Sequence, residues 1–359
     1  MPTQELIPVT EKVKIWFLDV SAFFAISINF ALIILILTKS PQSLGTYKYL
    51  MIYIALFELT YAALYVAEKP EIFTKDSAFL ILTNTKDSVF PKTISIFVDV
   101  LFIGFYGLTI SLLAIHFIYR YLAISSNDWL DTFQDWKLIL WLLFPIANGG
   151  VWCFAAAVIF AGKEDSDRFL REFYLPLVQN KTSFEDVYYG GPFYYLNDAH
   201  GNSYINWISF QGTLVVLSLI IISFITMIYF GVKGYNSMKD LMRHASISDK
   251  AKSLQSQLFK ALVLQTIIPV FLMHIPATAI YVTIFFNVSS EIFGEILNLS
   301  IALYPALNPL PTIFIVSSYK QAVIDLLCCK KKIDPHSGTQ GNSQLMTQHP
   351  LNTISHTLS

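Results

Sequence analysis

Seven long apolar stretches, separated by polar segments, dominate the chain. Each can cross the hydrocarbon core of a bilayer, which is roughly 30 Å thick and takes about 20 helical residues. Helix is the expected conformation because a backbone in lipid must satisfy its hydrogen bonds within the segment, and the pattern lacks the alternating strands of about ten residues that build a membrane barrel. The stretches run approximately over residues 15–37, 47–66, 93–117, 137–160, 204–230, 259–286 and 292–316.

The composition indicates the same class of protein. Of the 359 residues, 54% are hydrophobic and only 14% are charged, against about 25% charged in an ordinary soluble domain. The net charge of −1 gives no reason to expect nucleic acid as a partner. We predict an all-α membrane protein, a seven-transmembrane helix bundle over residues 15–316. An extracellular N-terminal segment 1–14 would precede it and a cytoplasmic tail 317–359 would follow. The first stretch is too long for the apolar core of a signal peptide, so we expect it to be a span.

The positive charges predict the orientation of the bundle. Most Lys and Arg residues lie in segments that share a side with the C-terminus. Such an excess marks the cytoplasmic side, so the N-terminus is expected outside. Asn180 begins the sequon NKT within the long segment 161–203. In this orientation Asn180 is extracellular and a candidate for glycosylation.

The C-terminal segment carries two features of a cytoplasmic tail. Cys328 and Cys329 lie just past the last stretch and are followed by three lysines. This pattern is typical of a palmitoylated, polybasic segment that holds a short helix against membrane lipid, although two reduced thiols are the alternative. The residues after about 333 are polar and are expected to be disordered and open to phosphorylation. The third cysteine, Cys153, is expected to be buried in the fourth stretch, so no extracellular disulfide is expected within the chain.

The polar side chains inside or near the ends of the apolar stretches include Asn29, Glu58, Arg120 and Asn308. A charge at mid-membrane costs roughly 2.5–3.5 kcal/mol on insertion scales, so such groups are expected to face one another or water. We predict one polar cluster, in which Glu58 is protonated or ion-bound and hydrogen-bonded toward Asn29 and Asn308. Arg120 ends the third stretch and has two interpretations: a side chain that reaches lipid phosphate, or a group that acts in signalling.

The order of these groups resembles the plan of rhodopsin-like receptors. That plan has an Asn in helix one, an acid in helix two, an Arg ending helix three and Asn-Pro in helix seven. The chain departs from it at Tyr119, where an acid usually precedes the arginine. It also lacks the Tyr that completes the helix-seven motif and the cysteines that join helix three to the second outer loop.

Three segments give a closer resemblance. HFIYRYLAI (116–124), KALVLQTIIPVFLMHIP (260–276) and LYPALNPLPTIFIVSSYK (303–320) resemble the signatures of nematode seven-transmembrane chemoreceptors of the Str class, the group that includes a diacetyl odorant receptor. The resemblance runs from the first stretch through Tyr319. Many members of that class carry Asp where Asn308 stands. The resemblance implies a rhodopsin-like architecture and coupling to a heterotrimeric G protein, at the plasma membrane of a sensory cilium.

The resemblance also implies which residues take part in coupling. Prolines inside the sixth stretch kink its helix, which would let its cytoplasmic end swing, although a static kink is the alternative. Lysines at the entry to that stretch suit docking of a G protein or simply the membrane topology. The Ser/Thr-rich tail suits arrestin and a receptor kinase. The predicted coupling residues are Tyr119, Arg120, Tyr121, Lys250, Lys252, Lys260, Pro269 and Pro276.

A ligand pocket is expected in the outer halves of spans three, five, six and seven. Phe102 lies 18 residues before Arg120, where amine-binding relatives of rhodopsin place an aspartate, and Asp99 is expected at the outer interface. A volatile, weakly polar odorant or pheromone is therefore expected rather than an amine. Each candidate has the alternative of facing lipid or a neighbouring helix. The candidates are Phe102, Phe105, Tyr106, Trp207, Gln211, His274, Tyr281, Glu295 and Asn298.

Other classes of membrane protein are the alternatives. A transporter should show duplicated halves or paired broken helices, which are not found. A seven-spanning ligand-gated channel of the insect odorant receptor type would place its N-terminus inside. An enzyme is not expected because no nucleophile elbow and no paired metal ligands occur in the sequence, and neither a cofactor nor a metal is predicted.

Overall fold

The computed structural model describes residues 6–178, 182–198, 200–243 and 248–328. Six helical segments in this part are long and apolar enough to cross a membrane, α7 and α8 counting as one, and α9 with α10 makes the seventh before a bend of 98° into α11. The predicted seven-helix bundle is confirmed. The helices are α1 (Leu6–Lys39), α2 (Tyr47–Glu68), α3 (Lys92–Ile124), α4 (Lys137–Phe154), α5 (Glu164–Phe173), α6 (Trp207–Arg243), α7 (Asp249–Pro269), α8 (Ile275–Phe285), α9 (Glu291–Leu307), α10 (Leu310–Ile315) and α11 (Ser317–Leu327).

Several helices extend beyond the predicted apolar stretches. The 33 residues of α3 measure about 50 Å at 1.5 Å per residue, well beyond a bilayer core of roughly 30 Å. Helix α1 begins at Leu6 and α6 continues to Arg243. Hydropathy reports only the part of a helix that lies in lipid, whereas backbone hydrogen bonds continue into the polar turns. Arg120 lies about one turn before the end of α3 at Ile124, and its place at the membrane boundary stays a prediction.

Two spans contain a π-helical turn that the sequence did not predict. In the fourth span this turn covers Ala155–Ile159, and in the sixth it covers Val270–His274, between α7 and α8. Pro269 immediately precedes the second turn and Pro276 follows it. Because proline has no N–H, each leaves a carbonyl one turn earlier without its helical partner. π turns are rare and often lie at functional sites.

Short strands close one end of the bundle, which hydropathy alone does not indicate. One antiparallel sheet has the order β1-β2-β3, and β4 pairs with β5. We call the three-stranded sheet together with Gly191 and Pro192 the roof, and the end it covers the roof end. The opposite end, which contains Arg120, is the arginine end. The strands are β1 (Glu71–Lys75), β2 (Ala78–Asn84), β3 (Val187–Gly190), β4 (Tyr195–Asn197) and β5 (Ser203–Ile205).

The roof is fastened to the seventh span by close backbone contact. Thr74 in β1 donates a hydrogen bond to the carbonyl of Ser290 at 2.5 Å and accepts one from the N–H of Gly294 at 3.1 Å. A β-carbon at Gly294 would lie 2.4 Å from the carbonyl oxygen of Ile72. Glycine is therefore required there for α9 and β1 to approach this closely.

Candidate functional site

A small apolar cavity lies beneath the roof. Side chains from the roof and from spans three, four, six and seven line it, among them Phe79, Tyr106, Trp152, Tyr281 and Leu297. The cavity therefore has the position and character of a ligand pocket, with a floor of helices and a lid of strands.

Trp152 lines this cavity and carries a buried hydrogen-bond donor. Its indole N–H is buried and has no acceptor among the described residues, and an unsatisfied buried donor is costly. Gly107 on α3 makes room for the ring, because a β-carbon at Gly107 would lie 2.1 Å from the indole. Tyr106 packs beside it, with ring centroids 5.5 Å apart. Trp152 was not among the predicted ligand residues. In the sequence, an aromatic residue of the fourth span that faces the bundle cannot be told from neighbours that face lipid.

Four predicted ligand residues lie on or beside the cavity. Tyr106 and Tyr281 line it. Phe102 is buried and stacks on Tyr61 of α2, with ring centroids 4.9 Å apart. Phe105 belongs to the same aromatic stack, 6.3 Å from Tyr61. The last two residues therefore support the wall on the α2 side.

Two further candidates lie one residue behind the cavity wall. The ring of His274 is 5.7 Å from that of Tyr106, which separates it from the cavity. Asn298 is buried and accepts a hydrogen bond from the hydroxyl of Tyr65 at 3.1 Å. Neither residue lines the cavity itself.

Three candidates point away from the cavity. Trp207 is 64% exposed and Gln211 is also exposed. Glu295 forms an ion pair with Lys14 at 3.7 Å, on the outside of α9. For Trp207 and Gln211 the reason is their position around the helix axis. The side of α6 that faces the bundle carries Thr213 and other buried residues, so side chains on the opposite side face outward.

A buried carboxylate links the roof to α3. Asp99 lies at the roof end of α3, is fully buried and accepts a hydrogen bond from Thr83 of β2 at 2.8 Å. Beside it Ser95 donates to Glu68, the last residue of α2. Burial, and then the nearby Asp99 carboxylate, raise the pKa of Tyr188 in β3 to about 12. We call the Thr83–Asp99 contact the roof latch.

The predicted polar cluster has Glu58 at its centre. Glu58 is buried and accepts a hydrogen bond from the side-chain amide of Asn308. The hydroxyl of Tyr304 also donates to Glu58, at 3.4 Å. These contacts join the second span to the seventh at the Asn-Pro step.

Asn29 takes a different partner from the one predicted. Its side-chain amide donates to the carbonyl of Pro305 at 2.8 Å and not to Glu58. In a regular helix that carbonyl would accept from the residue four positions on, which is Pro309 and has no N–H. Asn29 therefore supplies the hydrogen bond that the proline removes, so the first span completes the backbone bonding of the seventh.

Arg120 lies inside the bundle at the arginine end, with 2% of its surface exposed. Its guanidinium lies 3.5 Å from the centre of the Tyr47 ring, and Nη1 donates to Gln255 Oε1 at 2.7 Å. Across the described ranges, no carboxylate lies within 4.0 Å of it. We call this group of Arg120, Tyr47 and Gln255 the arginine clamp; it joins α2, α3 and α7.

The other predicted coupling residues surround the clamp or flank it. Tyr119 stacks on Tyr47 with centroids 5.2 Å apart, and Tyr121 packs against α6. Lys252 is buried on the first part of α7, whereas Lys250 and Lys260 are exposed. The structure thus packs the two tyrosines against different helices, α2 and α6, and distributes the lysines along α7.

The predicted modification sites are only partly described. Cys328 is exposed directly after α11, the short helix that turns away from the bundle. Cys329, Asn180 and the tail beyond residue 333 lie outside the described residues. Cys153 is half-buried in α4, rather than buried as expected, with its thiol 3.4 Å from the carbonyl of Val100.

Comparison with known families decides the class of this seven-helix bundle. Residues 14–324 match the model of the serpentine type 7TM GPCR chemoreceptor Str family. The chain belongs to that family. Str proteins are receptors of the G-protein-coupled class rather than enzymes, so the receptor is a multi-pass membrane protein.

Individual proteins extend this result over nearly the whole receptor. G-protein coupled receptor str-217 of Caenorhabditis elegans is 32% identical over 93% of this chain and 96% of its own length. Serpentine receptor class r-10 of the same organism is 28% identical over 89% of this chain and 93% of its own. The crystal structure of squid rhodopsin superimposes with a TM-score of 0.53 over 88% of this chain and 85% of that chain, at 10% identity. That likeness concerns the fold alone.

Proposed function

We propose that the receptor detects a small, weakly polar odorant or pheromone in the cavity beneath the roof. The unpartnered N–H of Trp152, a residue that lines this largely apolar cavity, carries this proposal. A ligand carbonyl would accept that hydrogen bond, while the rest of the molecule would contact aromatic rings. Among the described residues that line the cavity none is acidic, so an ammonium group would have no counter-ion. The ligand is therefore a neutral molecule with one acceptor.

Coupling to a heterotrimeric G protein takes place at the arginine end, which faces the cytoplasm. The π turn and prolines of the sixth span allow α7 to move relative to α8. Because Gln255 is on α7 and Arg120 is on α3, movement of α7 opens the arginine clamp. The freed guanidinium then offers its planar donors to the carbonyl groups of a G-protein C-terminus. Arrestin and a receptor kinase bind the tail, and the receptor operates in the membrane of a sensory cilium.

Calcium imaging of cells that express the receptor, with a panel of volatile ketones, esters, alcohols and alkanes, tests ligand detection. Trp152→Phe keeps an aromatic ring but removes the N–H. A hydrogen bond contributes about 1 kcal/mol, so the half-maximal concentration for carbonyl compounds should rise about fivefold or more. Trp129→Phe is the matched control, because Trp129 is 69% exposed and remote from the cavity. If Trp152→Phe responds to every active carbonyl compound as the unmodified receptor does, the cavity is not the ligand site.

The orientation has its own test. An epitope inserted after Gly201, in the exposed turn between β4 and β5, should be stained on intact cells, whereas one after Ser337 should need permeabilisation. Asn180→Gln should abolish any mobility shift that peptide-N-glycosidase produces. The reverse staining pattern would contradict a receptor that couples at the arginine end.

A further inference from the structure

The roof leaves the cavity closed from its own end of the bundle. The N–H of Phe79 donates to the carbonyl of Pro192 at 3.1 Å, which joins β2 to the segment after β3. A β-carbon at Gly191 would lie 2.0 Å from the carbonyl oxygen of Phe79, so the two backbones are in direct contact. A ligand that arrived from water would have to break this sheet or the roof latch.

A second space lies on the side of the bundle, between α6 and the sixth span. This crevice has a volume of about 530 Å³. Ile275 and Val282 border it and are 50% and 52% exposed, so its mouth opens on the surface that meets lipid. Phe224 forms its α6 wall. In a membrane this mouth is in contact with hydrocarbon.

The crevice reaches inward along the π turn of the sixth span. Val270 and His274, the first and last residues of that turn, both line it. A π turn holds one residue more than a turn of α-helix and so widens the helix locally. His274 is 5% exposed, and its Nε2 has no hydrogen-bond partner within the described part of the chain. The crevice is thus lined by a histidine with a buried, unpartnered imidazole nitrogen, among mostly apolar side chains.

Two side chains separate the crevice from the cavity. His274 lines the crevice, Tyr106 lines the cavity, and their ring centroids are 5.7 Å apart. On the crevice side Phe224 packs edge-on to His274 at 5.4 Å. The Tyr106 hydroxyl is held only by a long contact of 3.5 Å with the carbonyl of Met273. Rotation of these rings would join the two spaces without any movement of the roof.

We propose that the crevice is a membrane-facing binding site and entrance, through which small lipid-soluble molecules with one hydrogen-bonding group reach the cavity. The mouth selects molecules that dissolve in hydrocarbon, because the crevice opens to lipid. His274 then supplies a polar partner midway, and Trp152 supplies the next one inside. Charged molecules are excluded by the membrane before they reach the receptor. This entrance rests on the cavity being the ligand site but not on G-protein coupling.

Alkylation of a cysteine inside the cavity tests the route. In a receptor free of its native cysteines, Ala156→Cys places a thiol on the far wall, since Ala156 is buried and lines the cavity. Two maleimides of nearly equal size serve as probes in lipid nanodiscs: N-phenylmaleimide, which is neutral, and N-(4-carboxyphenyl)maleimide, which is charged. The neutral reagent should label the thiol at least tenfold faster.

Blocking the mouth provides the decisive comparison. Ala279→Trp fills the crevice from its exposed rim without touching the cavity, and it should slow labelling by N-phenylmaleimide at least tenfold. Ile146→Trp adds the same ring to a 49% exposed position on α4 and should leave the rate unchanged. His274→Ala removes one of the two dividing side chains and should accelerate labelling several-fold. If Ala279→Trp does not fold, Val282→Trp fills the same mouth.

Three results would overturn the entrance: equal rates for the two maleimides, an unchanged rate in the blocked receptor, or no labelling by either reagent. The first would indicate a route through water and the roof. The labelling rate is independent of signalling. A failure of the entrance is therefore distinguishable from a failure of the receptor to respond to odorants.

Discussion

Replacing Gln255 by leucine tests the arginine clamp directly. The hydrogen bond from Arg120 to Gln255 is 2.7 Å long and crosses from α3 to α7. A hydrogen bond to a charged group contributes about 1.5–3 kcal/mol net. If the bond exists only while α7 is packed against α3, its loss shifts the equilibrium toward the open state by the same free energy. At 1.4 kcal/mol per factor of ten, the shift is roughly 10- to 150-fold.

The shift predicts a measurable basal signal. A minor conformation of a two-state protein is commonly populated at about 0.1–10%. From about 1%, the loss of the clamp bond would raise the open population of Gln255→Leu to between about 10% and 60%. The contact of Arg120 with the Tyr47 ring, 3.5 Å from its centroid, remains in this variant and favours the lower end of that range.

Glutamate at the same position should act in the opposite direction. Gln255→Glu has the same length but presents a carboxylate to Arg120, and charge-assisted bonds are roughly twice as strong as neutral ones. Its basal signal should fall below that of the unmodified receptor, and its maximal response should fall as well. The assay is ligand-independent G-protein dissociation, measured by resonance energy transfer in cells matched for surface expression.

The control is the same substitution at a glutamine that does not contact the arginine clamp. Gln321 is exposed on α11 and its side chain bonds only Asp325 within the described structure, so Gln321→Leu should signal as the unmodified receptor does. If Gln255→Leu and Gln255→Glu change basal activity in the same direction, or not at all, the clamp does not restrain the receptor.

Variants at three further positions test other contacts. Arg120→Lys keeps the charge but loses the planar donor fork, so it should reach the cell surface and bind ligand yet activate G protein poorly; normal signalling would limit Arg120 to a structural role. Glu58→Gln can still bond Asn308 and should be expressed normally with altered signalling, and normal responses from both Glu58→Gln and Glu58→Leu would reduce the cluster to packing. Asp99→Leu leaves the Thr83 hydroxyl without its acceptor, which should destabilise the roof by about 1–3 kcal/mol. Asp99→Asn keeps an acceptor and should cost less, so equal melting temperatures for Asp99→Leu and the unmodified receptor would contradict the roof latch.

Part of the candidate site could be predicted from the sequence, because a polar side chain inside a membrane costs free energy unless it has a partner. A carboxylic acid in the second span and an Asn-Pro step in the seventh need partners, and Glu58 and Asn308 are in contact. Which side of a helix faces the bundle could not be predicted in the same way. Apolar residues surround most of α6, so its sequence does not show that Trp207 and Gln211 face outward. The partner of Asn29 could have been inferred from the missing N–H of Pro309, but only with the arrangement of the helices known.

The roof had still weaker signals in the sequence. Strands of three to seven residues between membrane spans are hard to distinguish from ordinary loops by hydropathy, and the pairing of β2 with β3 joins segments far apart in the chain. Val187 in β3 pairs with Asn84 in β2, about a hundred positions earlier. Such a register depends on the bundle having already brought the two loops together.

The way the roof is fastened also bears on how the receptor can be made. Its attachments are hydrogen bonds, from Thr74 to the start of α9 and from Thr83 to Asp99. The three cysteines lie in α4 and just after α11, far from these contacts along the chain. Folding of the roof therefore needs no thiol oxidation and no disulfide isomerase. Cell-free synthesis into nanodiscs in the presence of a reducing agent should yield receptor with an intact roof, a condition under which disulfide-capped receptors would lose theirs.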